Sequence, residues 1–132
     1  MQIDQVHTDP DPYAPYLLSQ AIRAGGFVFV SGQASVGNDG AIVSPRDFDR
    51  QADQAFRNLE RALKAGGSGL DRIVKVNIYL TSMAHFPKIV ELRRKWFSAP
   101  YPADTIVEVS ALYLPDAAIE IDAVGIADEN SL

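Results

Sequence analysis

An alternating segment at residues 73–80 constrains the fold most strongly, because a helical pattern lies on each side of it. Its even positions are all apolar (Val74, Val76, Ile78 and Leu80), and its odd positions are mixed (Ile73, Lys75, Asn77 and Tyr79). This period of two predicts a β-strand with one buried face. Since strands that alternate with helices pair through crossover connections, the segment also predicts a sheet with helices packed on that face.

The helical pattern before this strand has clear start and stop signals. Ser44 is suited to cap the helix, Pro45 fits its first turn, and Gly66-Gly67 fits its end. Apolar residues recur at helical spacing between these signals: Phe48, Ala52, Ala55, Phe56, Leu59, Ala62 and Leu63. The pattern predicts an amphipathic helix.

A second helix is predicted to begin between Ser82 and Pro87 and to end near Phe97. Its apolar side carries Phe86, Ile89, Val90, Trp96 and Phe97. Arg93 falls on this same side. The favoured interpretation of a long basic side chain there is a stem packed at the edge of the core, with its charge reaching solvent.

The remaining strands are indicated by short apolar and β-branched runs. Residues 17–23 and 27–31 are separated by Ala24-Gly25-Gly26, which predicts a hairpin because glycine tolerates the positive φ of a tight turn. Residues 41–43 follow a second turn signal and predict a third strand. Residues 104–110 and 117–125 predict two closing strands.

The predicted order is β-β-β-α-β-α-β-β, which is an α+β fold with a mixed sheet and both helices on one face. A length of 132 residues fits a single domain that spans residues 1–132. Several prolines predict an irregular N-terminal segment over residues 1–15. The polar end of the chain predicts a flexible tail over residues 126–132.

The second face of the sheet is predicted to be an interface between subunits. Its positions mix polar and apolar side chains: Lys75, Asn77, Asp104, Glu108, Glu120 and Asp122 beside Ile73, Tyr79 and Ile106. This mixture is too polar for the core of a monomer and too apolar for full exposure to water. A hydrated contact with another copy of the chain satisfies both conditions.

Composition argues against several classes of function. The formal net charge of −5 and the scattered basic residues argue against nucleic-acid binding, which needs clustered Lys and Arg. The chain has no cysteine, and His7 and His85 lie on unrelated segments, so we expect no metal site and no cofactor. With no signal-like start and no apolar run near the ~20 residues of a membrane span, we expect a cytoplasmic protein without a membrane partner.

A series of short motifs runs through nearly the whole chain. They are Ala14-Pro15-Tyr16, Phe29-Val30-Ser31-Gly32-Gln33, Asp71-Arg72-Ile73-Val74-Lys75, Pro102-Ala103-Asp104-Thr105-Ile106-Val107-Glu108-Val109 and Ile119-Glu120-Ile121. Together they resemble the RidA/YjgF family of imine and enamine deaminases. The resemblance implies a chorismate-mutase-like fold and a homotrimer that binds a small-molecule ligand in the clefts between subunits.

The resemblance also implies candidate site residues, taken one position at a time. Tyr16 matches the family's pocket tyrosine, and Glu120 matches the glutamate that positions the attacking water. Gly32 lies in the matched Ser-Gly-Gln strand end and is expected to line the substrate site. These three positions agree with the family pattern.

Three other pocket positions depart from that pattern. Asp104 stands where the family has the arginine that binds a substrate carboxylate, Ala84 where it has an asparagine, and Ile106 where many deaminases have cysteine. The chain therefore resembles a divergent subgroup that lacks the substrate-binding arginine. Because a carboxylate repels the ligand group that a guanidinium would bind, we expect 2-imino acids to be rejected.

The resulting hypothesis is a hydrolase of cationic or neutral imines or enamines. Glu120 activates water, Asp104 orients or protonates the nitrogen, and Tyr16 closes the pocket. If both carboxyl groups face one cleft, their mutual repulsion raises one pKa. The competing interpretation is that Asp104 caps a strand end or pairs with Lys75 or with an arginine across the interface.

A function of another class also stays open. On the same scaffold, the chain could be a noncatalytic trimeric protein that binds a small molecule or acts as a regulator. Relatives have also been labelled ribonucleases, but this acidic chain lacks a basic groove and a histidine pair for RNA cleavage. That interpretation ranks third.

Overall fold

One six-stranded sheet organises the chain. A computed structural model describes residues 1–129. Its strands and helices are β1 (Asp4–Val6), β2 (Ala21–Ala24), β3 (Phe27–Gln33), α1 (Phe48–Ala65), β4 (Ile73–Leu80), α2 (Ile89–Trp96), β5 (Ala103–Glu108) and β6 (Ile119–Ile126). The order across the sheet is β1-β2-β3-β6-β4-β5; β4 and β5 run parallel, and the other described pairs are antiparallel. The predicted α+β fold with a mixed sheet is confirmed.

Two strand predictions are wrong in detail. Asp4–Val6 lie inside the segment predicted to be irregular, yet they form β1 by pairing with Ala21, Ile22 and Arg23 of β2. Residues 41–43 were predicted to form a strand but make a single bridge, between Val36 and Ile42. The order of elements is therefore the predicted one, although the third strand of the opening group comes from the N-terminus.

The loop that contains residues 41–43 pairs with itself rather than with the sheet. The Gly37 N–H donates to the Ala41 carbonyl at 2.9 Å, and the Val43 N–H donates to the Ser35 carbonyl at 2.7 Å. These bonds use backbone groups that a sheet neighbour would need. The segment therefore closes on itself instead of adding a strand to the sheet.

Helix α1 begins three residues later than predicted, because Asp47 and not Ser44 is its N-cap. Asp47 is the N-cap, because its backbone is extended and its carboxylate accepts the Arg50 N–H at 3.1 Å. Ser44 instead lies in the preceding turn with a φ of 55°. The end agrees with the prediction, since Gly66 caps the helix and Gly67 follows with a φ of 84°. The helix packs its apolar side on β3 and β6.

A β-bulge changes the face on which β4 begins. Ile73 pairs with Gly125 of β6, but Lys75 pairs with the adjacent Val124, so one extra residue is inserted at Val74. As a result Ile73 is buried in the core and Val74 is exposed, the reverse of their predicted positions. Beyond the bulge, the alternation follows the prediction.

Helix α2 packs beside α1 on the same face of the sheet. A 3-10 helix over Met83–Lys88 leads into it. The Trp96 indole stacks on the Phe56 ring with 5.4 Å between centroids, and Ile89 is fully buried. Arg93 is half-buried at the edge of this core, as predicted, but its charge meets a partner there rather than solvent alone.

The partner of Arg93 shows that part of β5 faces the helices, not the open face. Asp104 is paired in register with Val76, which is fully buried, and its carboxylate accepts a hydrogen bond from Arg93 of α2. Ile106 packs against the same core. The prediction that Asp104, Ile106 and Glu108 share a face with Glu120 is therefore wrong, because the parallel register with β4 gives that face to Thr105 and Val107.

The open face still carries the mixed surface that was predicted from the other strands. Asn77 and Tyr79 of β4 both donate to the Asp122 carboxylate at 2.8 Å. Phe29 is 46% exposed nearby on β3. At the end of the chain, Ile126 completes β6 and Ala127 is buried, so these two residues do not belong to a flexible tail as predicted; residues 130–132 of that prediction lie outside the described residues.

Candidate functional site

A cavity of about 410 Å³ opens on the side of the sheet away from the helices. Its lining residues are Tyr13, Tyr16, Leu18, Ser31, Gly32, Tyr113 and Glu120. The volume lies within the range of small-molecule sites, which is roughly 300–1,000 Å³. The lining combines aromatic walls with one carboxyl group, so the cavity can hold an apolar molecule that has one polar reactive end.

A second β-bulge shapes the floor of this cavity. Val30 of β3 pairs with Ala123 of β6, but Gln33 pairs with Ile121, so Ser31 and Gly32 together oppose Asp122. The buried Gln33 side chain donates to the Ser31 carbonyl at 2.9 Å, and this hydrogen bond stabilises the bulge. Because of the bulge, Gly32 lies against Glu120, which is two residues from Asp122 on the same face of β6.

Gly32 and Glu120 fit together only because glycine has no side chain. A Cβ atom built on Gly32 would lie 2.5 Å from Glu120 Oε2 and 2.8 Å from its carboxyl carbon. The carboxylate therefore lies directly over the Gly32 backbone. A larger residue at this position would push the Glu120 side chain out of place.

The environment of Glu120 makes its ionised form less stable than it would be in water. Burial raises the pKa of the Glu120 carboxyl above its ordinary value, and the negative charge of Asp122 adds to the effect. Asp122 is held in place because Asn77 and Tyr79 both donate to its carboxylate. The hydrogen bond to Asp122 in turn raises the pKa of Tyr79 to about 12. Glu120 is thus a carboxyl group poised to take up and release a proton.

Three tyrosines form the wall of the cavity. The Tyr16 ring meets the Tyr113 ring edge to face with 5.8 Å between centroids, and the Tyr13 ring lies 6.2 Å from Tyr113 at a tilt. Burial is the main cause that raises the pKa of both Tyr13 and Tyr113, so their hydroxyl groups keep their protons at neutral pH. The wall is therefore aromatic and uncharged.

Three of the six predicted site residues meet at this cavity. Tyr16, Gly32 and Glu120 all line it. Asp104 and Ile106 do not, because both lie on the helix-covered side of β5. Ala84 lies in the 3-10 helix before α2 and does not line the cavity either.

Asp104 and Glu120 of one chain lie on opposite faces of the sheet, so they do not repel each other across a common cleft. The Asp104 carboxylate is instead paired with the Arg93 guanidinium, with 2.8 Å between Asp104 Oδ2 and Arg93 Nε. Both side chains are partly withdrawn from solvent. The neighbour that raises the pKa of Glu120 is Asp122, not Asp104.

Four lining residues were missed by the sequence analysis: Tyr13, Leu18, Ser31 and Tyr113. Two of them could have been found, because Tyr13 and Tyr113 are aromatic residues in irregular segments. No strand or helix period assigns them to a core, so such residues are candidates for a site. Ser31 does not serve as a nucleophile in this geometry. Its hydroxyl donates to the Ser19 carbonyl at 2.6 Å and is occupied in holding the bulge.

Two further features bear on the kind of site this is. Within residues 1–129, the acidic residues and histidines form no group of three that could hold a metal ion. Over the same residues, each helix is too short or too polar to cross a lipid bilayer.

The family model and the related sequences that match this chain point to the same family. The family model described as Endoribonuclease L-PSP matches residues 6–127. A RutC family protein from Pyrococcus horikoshii is 37% identical over 115 residues, which cover 87% of this chain and 89% of that protein. The 2-iminobutanoate/2-iminopropanoate deaminase of Dermatophagoides farinae is 35% identical over 118 residues, with 87% and 88% covered.

Solved structures share the whole fold. Yeast Mmf1 superposes with a TM-score of 0.88 and 32% identity, covering 96% of this chain and 100% of that chain. RidA from an Antarctic Psychrobacter species superposes with a TM-score of 0.85 and 31% identity, covering 93% and 98%.

Proposed function

Because the chain belongs to the Endoribonuclease L-PSP family, with RidA and RutC proteins among its relatives, we propose that it hydrolyses the C=N bond of imines, or of enamines after tautomerisation. Its preferred substrates are cationic or neutral rather than simple 2-imino acids. The reaction releases ammonia and leaves a carbonyl compound.

The observation that carries this proposal is the charge of the cavity. Glu120 is its one charged lining residue among the residues that the structure describes, and no arginine, lysine or histidine lines it. A carboxylate on the ligand would meet another carboxylate there and no cation. A protonated imine, by contrast, gains from Glu120 and from the faces of Tyr16 and Tyr113, since aromatic rings attract cations.

Glu120 supplies the acid and base chemistry in the proposed mechanism. Its carboxylate removes a proton from a water molecule, and the water oxygen bonds to the imine carbon as the C=N π electrons move to nitrogen. With a protonated imine, Glu120 then returns this proton to nitrogen to give an ammonium group, and the regenerated carboxylate removes the proton of the new hydroxyl group as the C–N bond breaks, so ammonia leaves and the carbonyl forms. The raised pKa of Glu120 suits both steps, because the group must be a base first and an acid second.

We propose that the working molecule is a homotrimer and that the site is completed by a neighbouring copy. The support is the open face of the sheet, which carries exposed Phe27 and Phe29 beside the Asn77, Tyr79 and Asp122 network. Within one chain Asp104 lies on the opposite face from Glu120, so in this arrangement it contributes to the cavity of a neighbouring copy, together with its partner Arg93. We keep Asp104, Ile106 and Ala84 as contributions from that neighbour.

The test is ammonia release from freshly generated imines and enamines, in matched pairs with and without an α-carboxylate. We expect turnover of the carboxylate-free members and little turnover of 2-imino acids. Asp104→Arg should shift this preference toward the carboxylate, because a guanidinium presents two parallel donors to it. Preferential turnover of 2-imino acids by the unaltered protein would contradict the proposed specificity.

The same experiment separates the enzyme from a noncatalytic binding protein. Saturable binding of an imine analogue without ammonia release, for every member of the series, would identify the cavity as a binding site only. The aromatic wall by itself fits both functions, whereas the placement of Glu120 over Gly32 favours the enzyme.

A further inference from the structure

We infer that a small polar cavity between α1 and the end of β3 binds one buried water molecule. Its volume is about 10 Å³, at the lower end of the ~10–15 Å³ that one water molecule needs. Gln20, Gln33, Asn58 and Arg61 contribute to its polar lining. None of the residues around it lines the Glu120 cavity, so the inference does not rest on the proposed hydrolysis.

Gln20, which precedes β2, has an unmet acceptor at this cavity. The residue is 2% exposed, and its Oε1 atom is buried without a hydrogen-bond partner among residues 1–129. A buried amide oxygen in this state has lost its hydration and gained nothing in return, so folded proteins rarely contain one. A hydrogen-bond donor located in the cavity restores the missing interaction.

Asn58 does not create the same demand, because its side chain already has partners. Its amide nitrogen donates to the Ala34 and Val36 carbonyls, each at 2.9 Å. Its amide oxygen accepts a hydrogen bond from the Gln54 amide nitrogen, also at 2.9 Å. Asn58 therefore acts as a fixed wall of the cavity, and the bound molecule is recognised by the other polar groups.

The remaining polar groups select water. Gln33 donates through its amide nitrogen to the Ser31 carbonyl, which leaves its amide oxygen as a second acceptor. Arg61 donates to the Pro10 carbonyl at 2.9 Å through one terminal nitrogen and has further N–H groups. A water molecule can accept from Arg61 and donate to Gln20 and Gln33, which gives it three partners. The guanidinium charge disfavours a metal ion or ammonium in the same space, and the volume excludes a larger ligand.

The water connects two segments that build the Glu120 cavity. Pro12 lines the water site, and Tyr13 and Tyr16 of the aromatic wall follow it in the same loop. On the other side, the hydrogen bond of Gln33 stabilises the bulge at the end of β3. A molecule that bridges these segments restricts the loop relative to the bulge, so the water has a positioning role for the tyrosine wall.

The direct test is a crystal structure of the full-length protein at a resolution that shows ordered water. We expect one density peak in the cavity, within hydrogen-bond distance of Gln20 Oε1 and an Arg61 nitrogen. Magnetic relaxation dispersion of water counts long-lived buried molecules in solution, and Gln20→Met should lose one of them because a thioether replaces the amide. Gln54→Met is the matched control, since Gln54 is half-buried but does not line the cavity. Its water count should equal that of the unaltered protein.

Amide hydrogen exchange tests the positioning role. The Tyr13 N–H donates to Asp11 Oδ1 and the Tyr16 N–H to the Tyr13 carbonyl, both at 3.0 Å. In Gln20→Met these two groups should exchange about tenfold faster, whereas the N–H groups of β6 should be unchanged. An equal acceleration in β6 would indicate general destabilisation and overturn the positioning role. An empty cavity, a direct protein partner for Gln20 Oε1 or an unchanged water count in Gln20→Met would overturn the water site itself.

Discussion

At the scale of single residues, the contact between Gly32 and Glu120 makes the sharpest prediction. Gly32→Ala should lower the rate of imine hydrolysis by ~100-fold, because the added Cβ displaces the carboxylate from its position over the bulge. The fold should survive, since the crowded atom is the end of a flexible side chain. Rates of ammonia release and a thermal unfolding curve check both parts.

Gly69→Ala provides the control for this substitution. Its Cβ would also meet a carboxylate tip, Asp71 Oδ1 at 3.0 Å, but Gly69 does not line the cavity. Its catalytic rate should match that of the unaltered protein. If both variants lose activity equally, the effect of Gly32→Ala is not specific to Glu120.

The raised pKa of Glu120 also predicts how stability depends on pH. The native state binds the Glu120 proton more tightly than the unfolded chain does, so stability is lost as pH rises through the interval between the ordinary pKa and the raised one. Glu120→Gln removes the cost of the buried charge and should raise the melting temperature near neutral pH. The gain should shrink as the pH falls below ~4, where the carboxyl becomes mostly protonated in both states.

The exposed Glu108 is a suitable comparison for this measurement, since it lies outside the cavity and the hydrogen bond it accepts from the Met83 N–H can be kept by a glutamine amide oxygen. The melting temperature of Glu108→Gln should stay close to that of the unaltered protein. A melting temperature for Glu120→Gln that falls near neutral pH would show that the ionised carboxylate stabilises the fold, contrary to the pKa direction.

The sequence could identify Glu120, Tyr16 and Gly32 as site residues, because each lies in a short motif of fixed spacing. It could not place Asp104 correctly. The face of a residue on β5 depends on its register with β4, and register is a property of two strands that local alternation in one of them does not reveal. Tyr13 and Tyr113 of the tyrosine wall were missed because their loops have no period that marks a face, although an aromatic residue outside any periodic segment is itself a signal for a site.

At the scale of elements, the buried side chain of Gln51 joins α1 to two loops. Its amide nitrogen donates to the Ser44, Pro45 and Asp116 carbonyls, and its oxygen accepts the Ala118 N–H at 2.9 Å. Gln51→Leu should lower the free energy of unfolding by ~3 kcal/mol, because buried backbone groups lose their partners. Urea denaturation measures the loss.

Gln54 is the control on the same helix. It is half-buried, and its amide nitrogen donates to the Asn58 side-chain oxygen. Water can replace this hydrogen bond in Gln54→Leu. We expect a loss of ~0.5 kcal/mol. Similar losses for the two variants would mean that the Gln51 bonds add little to the stability of the loop connections.

Element boundaries show what local patterns leave undetermined. The strand at residues 73–80 was predicted with its correct ends, because its alternation is strong and helices flank it. The bulge at Val74 was not, since an inserted residue becomes visible only when the partner strand β6 is in place. Asp4–Val6 form a strand for the same reason, because β2 offers an edge to a segment with little strand pattern of its own.

At the scale of the whole molecule, the proposed trimer predicts a mass of about three times 14.4 kDa in solution. Phe29→Asp should reduce that mass toward a single chain, because it places a charge on the exposed apolar part of the open face. Val43→Asp alters an apolar residue of similar exposure in the loop before α1 and should leave the mass unchanged. Light scattering after size separation distinguishes these outcomes, and a wild-type mass of one chain would contradict the trimer.

The central claim is that Glu120 activates water in an imine-hydrolysing cavity, and one comparison tests it most directly. Ammonia release from a carboxylate-free imine is measured for the unaltered protein, Glu120→Gln and Glu108→Gln. The account predicts a fall of at least ~100-fold for Glu120→Gln and an unchanged rate for Glu108→Gln, since a positioned acid and base contributes on that scale. Wild-type rates in Glu120→Gln would contradict the account.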